Sequence, residues 1–309
     1  SGILLRAGLS FCFNRSMVLS DRFSLHLVFV IALTPCEPVL ATKVCKQLRG
    51  ATYSSSTSSR LGTCVALKAT EAADFEYFKH LFDRRIDAAK KMYSNNWFAS
   101  WFESRHLNTH LLEKDAAPGG LWLKFGVDES CDSGACDKIG PLGQHAAKKH
   151  GTHVYAFDCF KGLPEPWRDG FPRGRFARRE IPAPPPGVQW VMGMFQESLP
   201  KFLAEHPGEK IGYLLVDSDL CSSAEFILDQ TYPHLADDAL VYFDEIMNFE
   251  TWETGELLAF HRFLKKRNLD YDVVMTASNC ELRPQCDYAF NQQAAFRLKP
   301  KCNKLLKDC

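Results

Sequence analysis

The sequence lacks three features that would place it in common classes of protein. It has no net charge, with 37 Lys and Arg against 37 Asp and Glu, so nucleic acid is not an expected partner. Its 12 cysteines include no C-x-x-C pair, so a zinc site is not indicated. It also has no G-x-G-x-x-G motif, which argues against NAD as a cofactor.

Long apolar segments are also absent. The N-terminal run from Phe23 to Leu33 is too short to span a bilayer comfortably, so we expect no stable membrane span after processing. Counted from Met17, a short charged start, this run and the small residues of Val39-Leu-Ala41 are typical of a secretory signal peptide.

Acidic residues are scarce in the first seventy positions, which hold eight Lys or Arg and only Asp21 and Glu37 as acids. Residues 42–70 contain no acid and include a Ser/Thr cluster at 54–59, a composition typical of a transit peptide. This order resembles the bipartite presequence of algae with complex plastids. We therefore predict that residues 1–70 are a targeting presequence or a disordered tail. The predicted location is organellar with a plastid favoured, and the lumen of the secretory pathway is the alternative.

Eight cysteines lie beyond residue 70, and two interpretations of them remain open. They form disulfides if the protein resides in an oxidising lumen, or they are buried free thiols. Their spacing does not determine a pairing.

The rest of the chain alternates between two patterns. Residues 71–117 form a predicted N-terminal helical extension, in which Phe75, Phe78, Phe82 and Ile86 recur at helical spacing. In the predicted domain 118–309, helical patterns separate seven short apolar runs, which predict strands at 121–127, 154–157, 188–195, 211–216, 240–243, 271–275 and 294–298. Strands that alternate with helices indicate a parallel, doubly wound sheet.

Two of these predicted strands end in paired acids. Asp217 and Asp219 follow the strand at 211–216, and Asp244 and Glu245 follow the next strand along the chain. Open α/β sheets bind their ligands at the carboxyl ends of the strands. Carboxylates that converge there repel one another unless a cation or a proton lies between them, so a hard divalent metal is predicted. The alternative is that each acid caps the helix that follows it.

A family resemblance is carried by sequence blocks that occur in the same order as in that family. They are Gly120-Leu-Trp-Leu-Lys-Phe-Gly-Val127, Val154-Tyr-Ala-Phe-Asp-Cys-Phe-Lys-Gly-Leu-Pro-Glu165, Gly193-Met-Phe-Gln-Glu-Ser-Leu-Pro200, Val216-Asp-Ser-Asp-Leu-Cys-Ser-Ser223 and Phe243-Asp-Glu-Ile246. Over residues 118–299 the chain resembles class I S-adenosylmethionine-dependent methyltransferases of the macrocin O-methyltransferase type.

The resemblance implies a mostly parallel, seven-stranded, Rossmann-like methyltransferase sheet and a set of site residues. Asp158 ends the second predicted strand, where doubly wound folds place the acid that bonds ribose hydroxyls. The implied S-adenosylmethionine site contains Gly126, Asp128, Asp158, Phe195, Gln196 and Asp217. The implied Mg²⁺ ligands are Asp217, Asp244 and Glu245, with Asp219 as a further candidate.

The activity that the resemblance implies is metal-assisted O-methylation of a sugar or another polyhydroxylated small molecule. Such an enzyme must align an acceptor oxygen with the methyl group, and Mg²⁺ lowers the pKa of the acceptor hydroxyl. Asp217 is the predicted catalytic residue. His261 is a weaker candidate for a base, because a histidine in the middle of a helix is more often an ordinary surface or core residue. The oligomeric state is not determined by the sequence.

Two departures from the family pattern keep alternatives open. Lys124 stands where the family has an acid, and the loop from Asp128 to Gly140 is longer than usual. These changes favour a non-catalytic, methyltransferase-like binding protein as one alternative. The Asp217-x-Asp219 motif is also typical of nucleotide-sugar glycosyltransferases, which is the other. For the arginine-rich loop at 164–186, a solvated loop is favoured over one that attracts an anionic substrate.

Overall fold

The structure, a computed structural model, describes residues 64, 67–93, 119–127, 131, 136, 139–276 and 292–301. Most of the predicted presequence, the second part of the predicted helical extension and the cofactor candidate Asp128 lie outside these residues. Within the described part of the chain, no helix is both long and apolar enough to cross a membrane.

One seven-stranded sheet, in the order β3-β2-β1-β4-β5-β7-β6, organises the fold. Strand β7 is antiparallel to β5 and β6, and the other neighbours are parallel. The doubly wound, mostly parallel, seven-stranded sheet predicted from the sequence is therefore confirmed. The strands are β1 Leu121–Phe125, β2 Val154–Asp158, β3 Val188–Met192, β4 Ile211–Val216, β5 Leu235–Phe243, β6 Leu269–Thr276 and β7 Ala294–Pro300.

Helices connect most of these strands. They are α1 Ala69–Tyr93, α2 Ile139–His145 with a π-helical continuation at Ala146–His150, α3 Phe195–Glu205, α4 Cys221–Thr231 and α5 Glu256–Arg267. Short 3-10 turns lie at Tyr232–His234 and Trp252–Thr254.

The central strands are apolar throughout because both faces of the sheet are covered. Every residue of β1 and of β4 is buried. Leu123 and Phe125 belong to one hydrophobic cluster, and Trp122 belongs to another. Successive side chains of a strand point to opposite faces, so the alternation assigns one cluster to each face of the sheet.

The predicted third strand, 188–195, is too long at its carboxyl end. The strand ends at Met192, and α3 begins at Phe195. Gly193 has a φ of +134°, which breaks the extended backbone, and the N–H groups of Glu197 and Ser198 then donate to the carbonyl of Met194 at 2.9 Å. The apolar pattern continues across this break, and for that reason it did not reveal the end of the strand.

Helix α1 packs onto the sheet rather than standing apart from it. Phe75, Phe82 and Ile86 are buried in the main hydrophobic cluster, as their spacing predicts. Arg85 donates to Asp270 at 2.6 Å and lies over the ring of Tyr271, with 4.5 Å between the guanidinium carbon and the ring centroid. These contacts join the predicted extension to β6.

Four of the described cysteines form disulfides, Cys64 with Cys221 and Cys131 with Cys136. Cys159 is the free cysteine among the described residues. Cys64 lies in the main hydrophobic cluster at 7% exposure, although the sequence assigns it to the presequence. Cleavage at the predicted boundary would therefore remove one partner of a disulfide that ends at the first residue of α4.

We expect the purified mature protein to retain Cys64 and to contain the Cys64–Cys221 bond. Cys64→Ser should lower the free energy of unfolding by about 2–4 kcal/mol, because the bond closes a long loop in the unfolded chain. Urea unfolding and intact mass under non-reducing conditions measure both effects. Cys159→Ser is the matched control and should unfold like the wild type; equal unfolding of the Cys64→Ser variant would contradict the pairing.

Candidate active site

Acidic side chains meet at the carboxyl edge of the sheet. Asp217 follows β4, while Asp244 and Glu245 follow β5. One carboxylate oxygen from each of the three lies within 4.8 Å of the other two. The structure thus brings together the three residues that the sequence analysis assigns to Mg²⁺, and metal binding itself stays a prediction.

The donor set of this group suits a hard cation. All three side chains offer carboxylate oxygens, which are the ligands that Mg²⁺ takes in proteins. Asp244 is buried, and Asp217 and Glu245 are half-buried, so water screens their mutual repulsion only in part. Asp219, the further candidate, does not belong to this group; it lies three residues past the end of β4 and has a φ of +62°.

Lys124 supplies a fixed positive charge beside the group. It lies on β1 and forms an ion pair with Asp217, with 3% of the lysine side chain and 14% of the aspartate side chain exposed. An unpaired lysine at this position would repel the cationic end of the predicted cofactor. In the structure a carboxylate contacts its ammonium directly, which reduces that repulsion.

Gly126 allows β1 and β4 to approach each other at this point. Its φ is +93°, and a Cβ at this position would come within 1.9 Å of the carbonyl oxygen of Asp217. The N–H of Asp217 donates to the carbonyl of Phe125 at 3.0 Å. A side chain at position 126 would therefore displace Asp217, so the glycine is required by backbone contact as well as by the predicted cofactor site.

Asp158 is held by backbone donors at the end of β2. Its two carboxylate oxygens accept hydrogen bonds from Val127 at 2.8 Å and from Phe160 at 2.6 Å. Burial raises the pKa of Asp158, and the two N–H groups partly oppose that shift by favouring the charged form. Each oxygen keeps a further lone pair, so the carboxylate can still accept from a hydroxyl group in the pocket.

Phe195 and Gln196 line the same pocket from the start of α3. The ring of Phe195 stands edge-on to the ring of Phe125, with 5.3 Å between their centroids. This contact fixes the phenyl group beside the end of β1. Both residues belong to the first turn of this helix.

An aromatic wall closes another side of the pocket. We use this name for Leu163, Trp167, Phe171, Phe176, Leu220 and Phe249, which pack together as a separate hydrophobic cluster. Within the predicted loop at 164–186, Trp167 is buried, so the prediction of a solvated loop is wrong for this residue. Arg173 and Arg179 are exposed, as that prediction requires.

Glu256 is a buried acid that the sequence analysis missed. It is fully buried at the start of α5, and its Oε1 accepts from the N–H and the hydroxyl of Ser218 at 3.1 and 3.0 Å. It therefore holds the residue between Asp217 and Asp219. Burial raises the pKa of Glu256 well above its ordinary value, and the two nearby aspartates add to this shift, while the Ser218 hydrogen bonds oppose it. An acid in the first turn of a helix is common, so the position of Glu256 in the sequence did not indicate that it is buried at the site.

His261 lies away from the pocket. It contacts Asp74 at 3.3 Å, and its ring packs against Phe75 and Phe78 at centroid distances of 5.3 and 4.7 Å. Burial lowers the pKa of its imidazole. The structure supports the ordinary-histidine interpretation and gives His261 no role as a base.

The pocket encloses about 400 Å³, a size typical of small-molecule sites. One continuous space is lined by the described residues that were predicted for the cofactor and by two of those predicted for the metal. They are Gly126, Asp158, Phe195, Gln196, Asp217 and Glu245. This arrangement can hold two reactants side by side, next to the carboxylates of Asp158, Asp217 and Glu245.

No family model matches the sequence, and no curated protein matches it. Solved structures of methyltransferases are similar to it at low identity. Calicheamicin methyltransferase CalS11 is 20% identical, with a TM-score of 0.42, over 75% of this chain and 94% of that chain. The O-methyltransferase NovP is 14% identical, with a TM-score of 0.41, over 63% and 78%. An O-methyltransferase from Bacillus cereus is 12% identical, with a TM-score of 0.36, over 76% and 92%. These values are too low to bear on activity, so the fold class rests on the strand order.

The buried Glu256 carboxyl predicts a pH dependence of stability. Its folded pKa is raised above the ordinary value of 4.5, so the native state holds a proton that the unfolded state releases as the pH rises. The contribution of Glu256 to the free energy of unfolding is therefore complete below pH 4.5. As the pH rises from 4.5 to the folded pKa, this contribution falls by about 1.4 kcal/mol per pH unit.

Glu256→Gln keeps an oxygen that accepts from Ser218 but removes the titration. Urea unfolding between pH 5 and 8 should show the variant gaining stability over the wild type as the pH rises. The exposed Glu250 provides the control, because Glu250→Gln should follow the wild type throughout. A constant difference between Glu256→Gln and wild type across this range would refute a protonated Glu256.

Proposed function

We propose that this protein is an enzyme, an S-adenosylmethionine-dependent and Mg²⁺-assisted O-methyltransferase that acts on a hydroxyl of a sugar or another polyhydroxylated small molecule. The observation that carries the proposal is the shared pocket. Asp158 at the end of β2 and the Asp217/Glu245 pair at the ends of β4 and β5 line one space of about 400 Å³. A methyl donor and a metal-bound acceptor need this adjacency, because the acceptor oxygen must lie in line with the methyl group.

The side of the pocket lined by Asp158, Phe195 and Gln196, which we call the donor side, offers contacts for the ribose and the adenine of the proposed cofactor. Asp158 retains lone pairs for ribose hydroxyls. Phe195 offers an apolar surface for the adenine, beside Gln196, whose amide both donates and accepts hydrogen bonds. S-adenosylmethionine would supply an already activated methyl group, so the protein needs to bind and align it rather than to activate it.

On the acceptor side, Asp217, Asp244 and Glu245 would hold Mg²⁺. When bound, Mg²⁺ lowers the pKa of a coordinated hydroxyl and fixes its position. Asp217 is the residue we place at the reaction centre, because it lines the pocket and belongs to the carboxylate group. Its ion pair with Lys124 fixes the position of this carboxylate beside the pocket.

A second candidate is a non-catalytic protein with the same fold. Lys124 favours it, because a buried ammonium stands where the family that the sequence resembles has an acid. The glycosyltransferase alternative receives less support, since only Asp217 of the Asp217-x-Asp219 motif belongs to the carboxylate group.

We also propose a small hydroxylated acceptor as a partner and no nucleic acid, in keeping with the balanced charge. Organellar targeting, to a plastid rather than to the secretory lumen, is the location we propose from the N-terminal composition.

Calorimetry with the full chain separates the candidates. We expect S-adenosylmethionine and S-adenosylhomocysteine to bind in a one-to-one ratio, without a requirement for Mg²⁺, because the donor-side contacts contain no proposed metal ligand other than Asp217. Heat from a nucleotide sugar with Mn²⁺, but from neither S-adenosylmethionine nor S-adenosylhomocysteine, would favour the glycosyltransferase. No heat from any of these ligands would favour the non-catalytic protein.

Glu245→Gln tests the metal more cleanly than a change at Asp217, which would also remove the partner of buried Lys124. Loss of a residue that only supports a metal ligand lowers metal affinity by roughly ten- to hundredfold. Loss of a ligand should lower Mg²⁺ affinity by at least as much, while S-adenosylhomocysteine binding is unchanged. Glu250→Gln makes the same chemical change at an exposed position and should have no effect on either ligand. Unchanged Mg²⁺ affinity in the Glu245→Gln variant would remove Glu245 from the proposed ligands.

A further inference from the structure

Arg168 is the feature of the pocket that the proposed reaction does not use. It lines the pocket, and its guanidinium lies among the rings of the aromatic wall. Its guanidinium carbon is 3.9 Å from the ring centroid of Trp167, 4.8 Å from that of Phe171 and 5.0 Å from that of Phe249. Arginine stacks on aromatic faces in this way while its N–H groups remain able to donate.

The loop that carries Arg168 is anchored, so the position of the guanidinium is defined. Trp167 N–H donates to the carbonyl of Phe171 at 3.0 Å, and Phe171 N–H donates to the carbonyl of Arg168 at 2.8 Å. Arg178 donates to the carbonyl of Val127 at 2.9 Å, which fastens the far side of the loop to the end of β1. These bonds make the aromatic wall a fixed side of the pocket.

One N–H group of Arg168 has no hydrogen-bond partner in the described part of the chain. This group is the Nε–H, which is buried. Buried donors in folded proteins are nearly always satisfied by protein or by another molecule. Since the guanidinium stays charged at any physiological pH, the partner that best fits a buried N–H of this group is an anion.

One of the two acids near Arg168 belongs to the proposed metal site. Asp219 and Glu245 act on Arg168 through their charge, while burial lowers the pKa of its guanidinium. Glu245 belongs to the carboxylate group, so a bound Mg²⁺ would take up its charge. Asp219 would then be the one of these two acids whose charge still acts on Arg168.

We propose that Arg168 forms an anion-binding subsite, so that the acceptor is a hydroxylated small molecule that also carries a carboxylate or a phosphate group. Planar, charge-assisted hydrogen bonds to carboxylate or phosphate are the recognition for which arginine is suited. This inference rests on the proposed function, because it names the class of acceptor for the same pocket.

The first test reads Arg168 directly and needs no methyl transfer. The Nε–H resonances of the ¹⁵N-labelled full chain are recorded with S-adenosylhomocysteine and Mg²⁺ present, and the Arg168 signal is the one lost in Arg168→Lys. Glucuronate or glucose 6-phosphate should shift this signal, and glucose should not. A response to one of the two anions but not to the other identifies the group as carboxylate or phosphate.

The second test measures affinity for the anion that responds. Arg168→Gln should weaken its binding by roughly ten- to hundredfold, the range for loss of a charged hydrogen bond, and should leave glucose binding unchanged. Arg168→Lys keeps the charge but not the fork of donors and should bind with intermediate affinity. Arg173→Gln, which changes an exposed arginine of the same loop, should bind like the wild type.

The outcomes distinguish this inference from the proposed function. Absence of a shift with both anions, or an equal affinity of wild type and Arg168→Gln, would overturn the anion subsite even if S-adenosylhomocysteine binds. Failure of S-adenosylhomocysteine to bind would instead overturn the methyltransferase, and the titration of the Arg168 signal would still report whether the subsite exists.

Discussion

The site depends on how the segment from Asp217 to Cys221 is held after β4. Lys124 on β1 pairs with its first residue, Glu256 on α5 binds the backbone and hydroxyl of Ser218, and Cys64 is bonded to its last residue. Three parts of the chain that are distant in sequence thus fix five consecutive residues. A carboxylate must be placed accurately to bind a metal or a reactant. The three contacts supply that accuracy because they fix the position of the backbone that carries Asp217.

The acids of the pocket are kept compatible by three different means. Several carboxylates at close range and in partial burial cannot all stay ionised without compensation. Burial raises the pKa of Glu256, which favours its neutral form. Asp217 is compensated by the ammonium of Lys124. The proposed Mg²⁺ would compensate Asp244 and Glu245 together with Asp217, so Lys124, which departs from the pattern of the family that the sequence resembles, is explained as part of the charge balance rather than as a loss of function.

The accuracy of the sequence predictions follows from the range of the interactions. The strand ending before Asp217 was predictable because burial on both faces makes a strand uniformly apolar. The same reasoning explains why Asp217, Asp244 and Glu245 were expected to meet. Glu256 was not predictable, because its role requires a contact with Ser218 across the fold. Trp167 was missed for a related reason: arginines and prolines dominate its loop, and only the packing reveals the aromatic wall.

The disulfide also makes the rigidity of the site depend on the compartment in which the protein resides. The Cys64–Cys221 bond ends at the last residue of the segment that carries Asp219, so its state affects how firmly that segment is held. An oxidising secretory lumen preserves such a bond, whereas a compartment with reducing thiols acts against it. Both sulfur-bearing residues are buried, at 7% and 0% exposure, and disulfide exchange requires a thiolate to reach the sulfur. Burial of the bond therefore slows its exchange with thiols, a property that suits either of the two compartments proposed from the N-terminal sequence.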